Sequence, residues 1–169
     1  KNSLVFSNTG QQTQLIGPSP KVMRGFSSPY YRSPFTFRTH GERSAPDGRF
    51  TIAGWIKADS VSPSVETGTI ISKWNEQVSS AREWKVYVHE ASLYCEIMDT
   101  DAGQSRWAYT TPDSAYDYYA IESGVWLHFA ATYDGRGGTN AQSGIKIYIN
   151  GLEHAVTPGT SGAGYVKMR

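Results

Sequence analysis

Short segments in which apolar and polar residues alternate restrict the fold of this 169-residue chain more than any other feature. Segment 50–57 reads FTIAGWIK, and segment 125–134 reads VWLHFAATYD. In each of them, residues two apart share a character, as they must on a strand with one face on the core. No stretch has a useful helical period. The sequence therefore predicts an all-β fold.

Residues 84–98 predict a β-hairpin with a defined register. If Glu90 and Ala91 form its tip, one face of the hairpin is wholly apolar. The other face then has an aromatic pair and a charge pair. A slip by one residue would invert both faces, so the register is well specified. The implied cross-strand pairs are Trp84–Ile97, Lys85–Glu96, Val86–Cys95, Tyr87–Tyr94 and Val88–Leu93.

A second hairpin is predicted around Asn150-Gly151, between IKIYI and LEHAV. Both central residues of a type I′ turn need positive φ, which Asn and Gly accept. With the other short runs, the chain has about ten candidate strands separated by turn residues. This pattern is typical of an antiparallel β-sandwich.

Three phrases resemble the laminin-G-like, concanavalin A-like lectin jelly-roll family. They are FTIAGWIK, WLHFAATYDG and IKIYING, and they occur in the family's order. The resemblance implies a jelly roll that binds ligands rather than transforming them. The family's usual closing phrase, of the type G-x-I-D-E-V-R-I-Y, is absent. We therefore expect one domain over residues 1–169 that lacks its closing strands or is completed by another element.

Residues 17–49 form a long connection that we interpret as an inserted arm. It contains five prolines, which exclude most of it from a central strand. Its large aromatic residues would be costly to leave in water, which favours a partner subunit as the surface that buries them. The candidate partner-binding residues of the arm are Phe26, Tyr30, Tyr31, Arg32 and Phe35.

Glu96 and Asp99 raise the possibility of a glycoside hydrolase. Retaining hydrolysis needs two carboxyl groups about 5–5.5 Å apart on one face. Residues three apart on a strand point to opposite faces, and Lys85 is the expected partner of Glu96. The spacing therefore favours a chain that is not an enzyme.

Asp99 and Asp101 are also candidate calcium ligands, because loop carboxylates supply the oxygens that Ca²⁺ prefers. Asp113 and Asp117 lie in a second loop that could converge with the first. No compact calcium motif is present, and relatives carry an aspartate in their first strand where this chain has Ser7 and Asn8. Apart from this calcium hypothesis, no cofactor is expected.

A loop rich in tyrosine is the strongest candidate for ligand binding. Flat aromatic faces stack on sugar rings, and carboxylates accept hydrogen bonds from sugar hydroxyl groups. The same mixture suits a protein interface, where tyrosine is enriched, or simple packing on the sandwich edge. These three alternatives stay open. The residues concerned are Asp113, Tyr116, Asp117, Tyr118 and Tyr119.

The net charge, the lengths of the apolar runs and the cysteine content limit the functions that this chain can have. The net charge of +1 gives no field that would attract nucleic acid, and no apolar run is long enough to cross a bilayer. Cys95 is the one cysteine, so no internal disulfide forms. We expect a non-catalytic recognition or adhesion module on an extracellular, cell or virion surface, binding glycan or neighbouring subunits, as in a phage decoration or fibre protein. The alternative is a secreted glycoside hydrolase or its carbohydrate-binding accessory domain.

Overall fold

Two antiparallel sheets make up the protein in the computed structural model, which describes residues 47–59, 67–78, 81–111 and 121–168. Within these ranges there are nine strands and one 3₁₀ turn at Ala141–Gly144. The strands are β1 (Phe50–Lys57), β2 (Thr67–Trp74), β3 (Arg82–His89), β4 (Ser92–Asp99), β5 (Gln104–Thr110), β6 (Trp126–Tyr133), β7 (Ile145–Ile149), β8 (Leu152–His154) and β9 (Val156–Thr160).

The four-stranded sheet has the order β1-β6-β7-β8, and the five-stranded sheet has the order β2-β3-β4-β5-β9. Apolar side chains from the inner faces of both sheets form one core. Its members include Trp84 and Leu93 from one sheet and Phe129 and Ile147 from the other. The predicted all-β sandwich of jelly-roll type is therefore confirmed. No helix in the described ranges is long and apolar enough to cross a membrane.

The β3–β4 hairpin has the predicted register, with Tyr87 opposite Tyr94 and Lys85 opposite Glu96. Its tip has only two residues, because His89 pairs directly with Ser92. Glu90 has a φ of 49° and Ala91 a φ of 56°, so both lie in the left-handed region. Neither residue type prefers this region, and the well-packed faces of the hairpin impose it on them.

We predict that Glu90→Asn stabilises the protein by about 1 kcal/mol, because asparagine tolerates a left-handed backbone better than glutamate. Chemical denaturation of both proteins measures the difference in free energy of unfolding. Glu90→Gln is the matched control, since it removes the charge and keeps the backbone strain. A gain of equal size in the Gln variant would assign the effect to charge instead.

The Asn150-Gly151 turn between β7 and β8 is also confirmed, with φ values of 50° and 86°. Strand β9, by contrast, is not among the strands that the sequence predicts, because it contains Pro158 and Gly159. In the described part of the sheet β9 is an edge strand, where a proline does not interrupt a ladder on both sides. Gly159 is required there, because the indole of Trp107 lies across it and a Cβ atom would come within 2.1 Å of Nε1.

Asp47 lies at the end of the predicted arm and is buried in the sandwich, with 4% of its surface exposed. The Tyr133 hydroxyl donates to its Oδ2 atom at 2.7 Å, and the Tyr165 hydroxyl donates to the same atom at 2.9 Å. The Met168 N–H donates to Oδ1 at 2.6 Å. One carboxyl group thus joins the residues before β1, the end of β6 and the segment 165–168.

Asp99 fixes the same C-terminal segment from the other sheet. Its Oδ2 atom accepts the N–H groups of Val166 at 3.0 Å and Lys167 at 3.2 Å. Its Oδ1 atom accepts those of Asp101 and Ala102 in the turn after β4. Together, Asp47 and Asp99 bind three consecutive backbone N–H groups, so the residues after β9 are held in the core.

The pKa of Asp47 is raised above its ordinary value of 3.8, mainly because burial disfavours the charged form. The folded state then binds the proton on Asp47 more tightly than the unfolded state does. The contribution of Asp47 to stability is therefore complete below the unfolded pKa and declines as pH rises through the folded pKa.

We predict that wild-type protein loses stability relative to Asp47→Asn as pH rises from the unfolded pKa of Asp47 through its folded pKa. Denaturation curves at several pH values measure this, and parallel pH profiles for the two proteins would contradict it.

Candidate functional site

The outer face of the four-stranded sheet is the more open of the two outer faces. All four outward side chains of β1 are exposed, at Thr51, Ala53, Trp55 and Lys57. Trp55 is 62% exposed, and Trp126 on the neighbouring strand β6 is 45% exposed. Because Trp55 pairs with His128 and Trp126 pairs with Lys57, the two tryptophans are diagonal neighbours, with Cβ atoms about 7 Å apart.

His128 lies beside Trp55 on this face. The two rings meet edge to face, with centroids 5.3 Å apart and an interplanar angle of 66°. The backbone at His128 is fixed by the β7–β8 turn, since its N–H donates to Asn150 Oδ1 at 3.0 Å and its carbonyl accepts the Asn150 N–H at 2.8 Å. We call Trp55, Trp126 and His128 the tryptophan face.

The same outer surface continues along the strands away from the tryptophan face. The next row of paired residues is Ala53, Ala130 and Tyr148, and the row after it is Thr51, Thr132 and Lys146. This last row borders a cleft of about 460 Å³ at the end of the sandwich. The residues lining the cleft are Arg49, Phe50, Thr51, Thr132, Tyr133, Asp134, Arg136, Ser143, Gly144 and Lys146.

Asp134 and Arg136 both line this cleft and pair with each other. The guanidinium group donates to both carboxylate oxygens, with Nη2 to Oδ2 at 2.6 Å and Nε to Oδ1 at 3.2 Å. This hydrogen bonding lowers the pKa of Asp134 below its ordinary value. The pair lies over Gly144, where a Cβ atom would come within 2.2 Å of Asp134 Oδ1. Glycine at 144 therefore leaves the space that the Asp134–Arg136 pair occupies.

The outer face of the five-stranded sheet carries a row of three tyrosines. The rings of Tyr87 and Tyr94 stack at 4.9 Å, and those of Tyr94 and Tyr109 stack at 4.6 Å with an angle of 12° between them. These distances are close to the spacing of about 4.7–4.9 Å between adjacent strands, so the rings cover one another's faces. The row therefore offers its edges and hydroxyl groups, rather than open ring faces, to a ligand.

Lys85 lies next to the tyrosine row, with its Nζ atom over the ring of Tyr87. Its Nζ atom lies 4.3 Å from the centroid of the Trp74 ring, 4.7 Å from that of Tyr87 and 3.3 Å from a Glu96 carboxylate oxygen. Burial, with a contribution from Glu96, raises the pKa of Tyr87. The predicted Lys85–Glu96 ion pair is confirmed, and the cluster stabilises the sheet surface through cation–π contacts.

The two acids that suggested a hydrolase do not come together. Glu96 points to the outer face, where Lys85 neutralises it. Asp99 is 1% exposed at the sheet end, and four backbone N–H groups donate to its carboxylate. These two carboxylates therefore have the opposite orientations that their spacing predicts.

The calcium hypothesis for Asp99 and Asp101 remains a prediction. The Asp101 N–H donates to Asp99 Oδ1 at 3.2 Å, so the two residues lie in one turn. In the described ranges, no group of three or more His, Cys, Asp or Glu side chains is arranged to hold a metal ion. The candidates Asp113 and Asp117 lie outside those ranges.

The candidate residues of the predicted tyrosine loop and of the predicted arm also lie outside the described residues. This applies to Tyr116, Tyr118 and Tyr119 in the loop, and to the candidate residues of the arm, which are Phe26, Tyr30, Tyr31, Arg32 and Phe35.

Cys95 is fully buried, and burial raises the pKa of its thiol to about 12, in agreement with an inert core residue.

Sequence reasoning did not single out Trp55 or Trp126. The signal was present, because the alternation of segment 50–57 assigns Trp55 to the same face as Thr51 and Lys57. A large aromatic residue on the polar face of an amphipathic strand is a candidate for ligand contact.

A family model of laminin G type, described as the concanavalin A-like lectin/glucanases superfamily, matches residues 36–166. The match begins inside the segment 17–49 that we interpret as an inserted arm, so it includes residues 36–49 of that segment. The interpretation of this segment as an arm remains a prediction. Pappalysin-1 from Mus musculus is 30% identical over 129 residues, which is 71% of this chain and 7% of that protein. The chain thus spans a small fraction of that relative's length. Among solved structures, none matches the chain significantly.

Proposed function

The chain belongs to the concanavalin A-like lectin/glucanase superfamily, and we propose that it is a non-catalytic recognition domain that binds a glycan or a neighbouring protein through its tryptophan face. The observation that carries this proposal is the exposure of Trp55 and Trp126 on one open sheet face. Leaving two tryptophans in water is costly, and tryptophan contributes strongly to binding when it is covered by a ligand.

The state of the acids supports recognition rather than hydrolysis. Glu96 is held by Lys85, and the hydrogen bonds to Asp99 come from backbone groups that fix the turn after β4 and the C-terminal segment. A retaining glycosidase needs two carboxyl groups facing the same sugar. Glu96 and Asp99 are not placed to face the same sugar together.

The setting that we propose is outside the cell. Lectin-type sandwiches serve recognition in such settings, and the matched relative pappalysin-1 accommodates a segment of this kind within a much longer chain. A role as one module of a longer protein is therefore the simplest interpretation. The virion or fibre role expected from the sequence remains a prediction, because the matched relative is a mouse protein.

We predict that Trp55→Ala weakens binding about tenfold or more, because a buried tryptophan contact contributes at least about 1.4 kcal/mol. A glycan microarray and a cell-binding assay with purified protein identify ligands and measure the loss. Val78→Ala is the matched control, since Val78 is 45% exposed in the turn after β2, on the other sheet. Equal binding by all three proteins would contradict the assignment of the site.

We also predict that the protein releases no reducing ends from any polysaccharide that it binds. A reducing-sugar assay over extended incubation measures this, with a retaining glucanase as the positive control. Turnover that disappears in Glu96→Gln or Asp99→Asn would show that the domain is an enzyme.

A further inference from the structure

The tryptophan face is one end of a longer surface strip. Residues on the same face of a strand recur about every 6.7 Å, so the outward positions from Lys57 to Thr51 span about 20 Å along β1. The paired positions on β6 run from Trp126 to Thr132 beside them. We call this surface, from the tryptophan face to the cleft at Arg49, the strip.

The middle of the strip is low and flat. Ala53 and Ala130 are paired neighbours there. Apart from glycine, alanine has the smallest side chain of any residue, so this row rises little above the sheet. Tyr148 on β7 stands beside them as a wall. An extended ligand could therefore pass from one end of the strip to the other without meeting a large side chain.

The far end of the strip differs from the tryptophan face in chemistry. Thr51, Thr132 and Ser143 bring hydroxyl groups to the cleft, and Arg49, Arg136 and Lys146 bring cationic groups. One carboxylate, that of Asp134, lines the same cleft. Lys146 also pairs with Glu153 at 3.0 Å, but both side chains are about half exposed, so this pair is weak and exchangeable.

Resting on the proposed function, we propose that the strip binds an internal stretch of a linear acidic saccharide chain laid along β1 and β6. Trp55 and Trp126 stack on sugar rings at one end. At the other end, Arg49 and Lys146 bind a carboxylate or sulfate group of the same chain, and the threonine hydroxyls bind its hydroxyl groups. Cationic groups in excess over carboxylates give the cleft the complementary charge.

A globular protein partner fits the strip less well. Stable protein interfaces have an apolar centre with a polar rim. Here the two tryptophans lie at one end, the centre carries methyl groups with Tyr148 beside them, and the opposite end is polar and charged. A chain that alternates apolar ring faces with hydroxyl and acidic groups matches this order.

Hyaluronan oligosaccharides from the disaccharide to the decasaccharide provide the test, with malto-oligosaccharides of the same lengths as neutral probes. Isothermal titration calorimetry at low and high salt measures affinity for each. Chondroitin sulfate oligosaccharides distinguish a sulfate requirement from a carboxylate requirement. The variants are Trp55→Ala at one end of the strip, Arg49→Gln with Lys146→Gln at the other, and Ala53→Gln on the floor between them.

We expect affinity for an acidic chain to grow with length until the strip is spanned and to fall with added salt. Trp55→Ala and the double Gln variant should each weaken binding about tenfold, while Arg49→Lys with Lys146→Arg retains it. Ala53→Gln should weaken binding of long chains and leave binding of the shortest chains unchanged.

This inference would be overturned if neutral chains bound as tightly as acidic ones and the double Gln variant lost no affinity. If Trp55→Ala still abolished binding in that case, the proposed function would remain intact. Affinity that is already maximal for the disaccharide would also overturn this inference. No binding of any saccharide, together with Trp55-dependent binding to a protein, would assign the tryptophan face to the other ligand class.

Discussion

The buried carboxyl group of Asp47 is the constraint on which the arrangement of this sandwich depends. Its two oxygens accept hydrogen bonds from Tyr133, Tyr165 and Met168, so the flank of β1, the end of β6 and the C-terminal segment meet at one point. Burying a carboxyl group is costly unless its hydrogen-bonding capacity is used, and here both oxygens are engaged. The geometry of the family phrase T-Y-D-G follows from this point, because Tyr133 donates to Asp47 and Gly135 leaves room for the Asp47 carbonyl.

The two outer faces show how one alternating pattern can serve opposite purposes. On the five-stranded sheet, the rings of Tyr87, Tyr94 and Tyr109 are satisfied by one another and stiffen the sheet. On the four-stranded sheet, Trp55 and Trp126 remain exposed, and neither belongs to such a ring stack among the described residues. Aromatic content alone therefore does not locate a binding site. What matters is whether the ring faces are already covered by neighbouring strands.

Local patterns in the sequence predicted a large part of the fold, because strand pairing between neighbours is set by alternation. The β3–β4 register and the Asn150-Gly151 turn were recoverable in this way. The roles of Asp47 and Asp99 were not, because their partners are far away in the chain and no short spacing links them. Strand β9 was obscured by Pro158, whose effect depends on lying at a sheet edge. Prediction of the tryptophan face would have required knowledge of which outer sheet face is left exposed to solvent.

The distance along the chain between Asp47 and its partners has a consequence for how the protein folds. Asp47 and Tyr133 are 86 residues apart, and Asp47 and Met168 are 121 residues apart. The β3–β4 hairpin can form as soon as it leaves the ribosome, whereas β1 must wait for β6 and the Asp47 contacts must wait for the last residues described. Contacts of such high order slow folding, and they leave β1 without its partner β6 in the meantime. Among the strands that the structure describes, the one that carries Trp55 is thus the most exposed to wrong partners during synthesis.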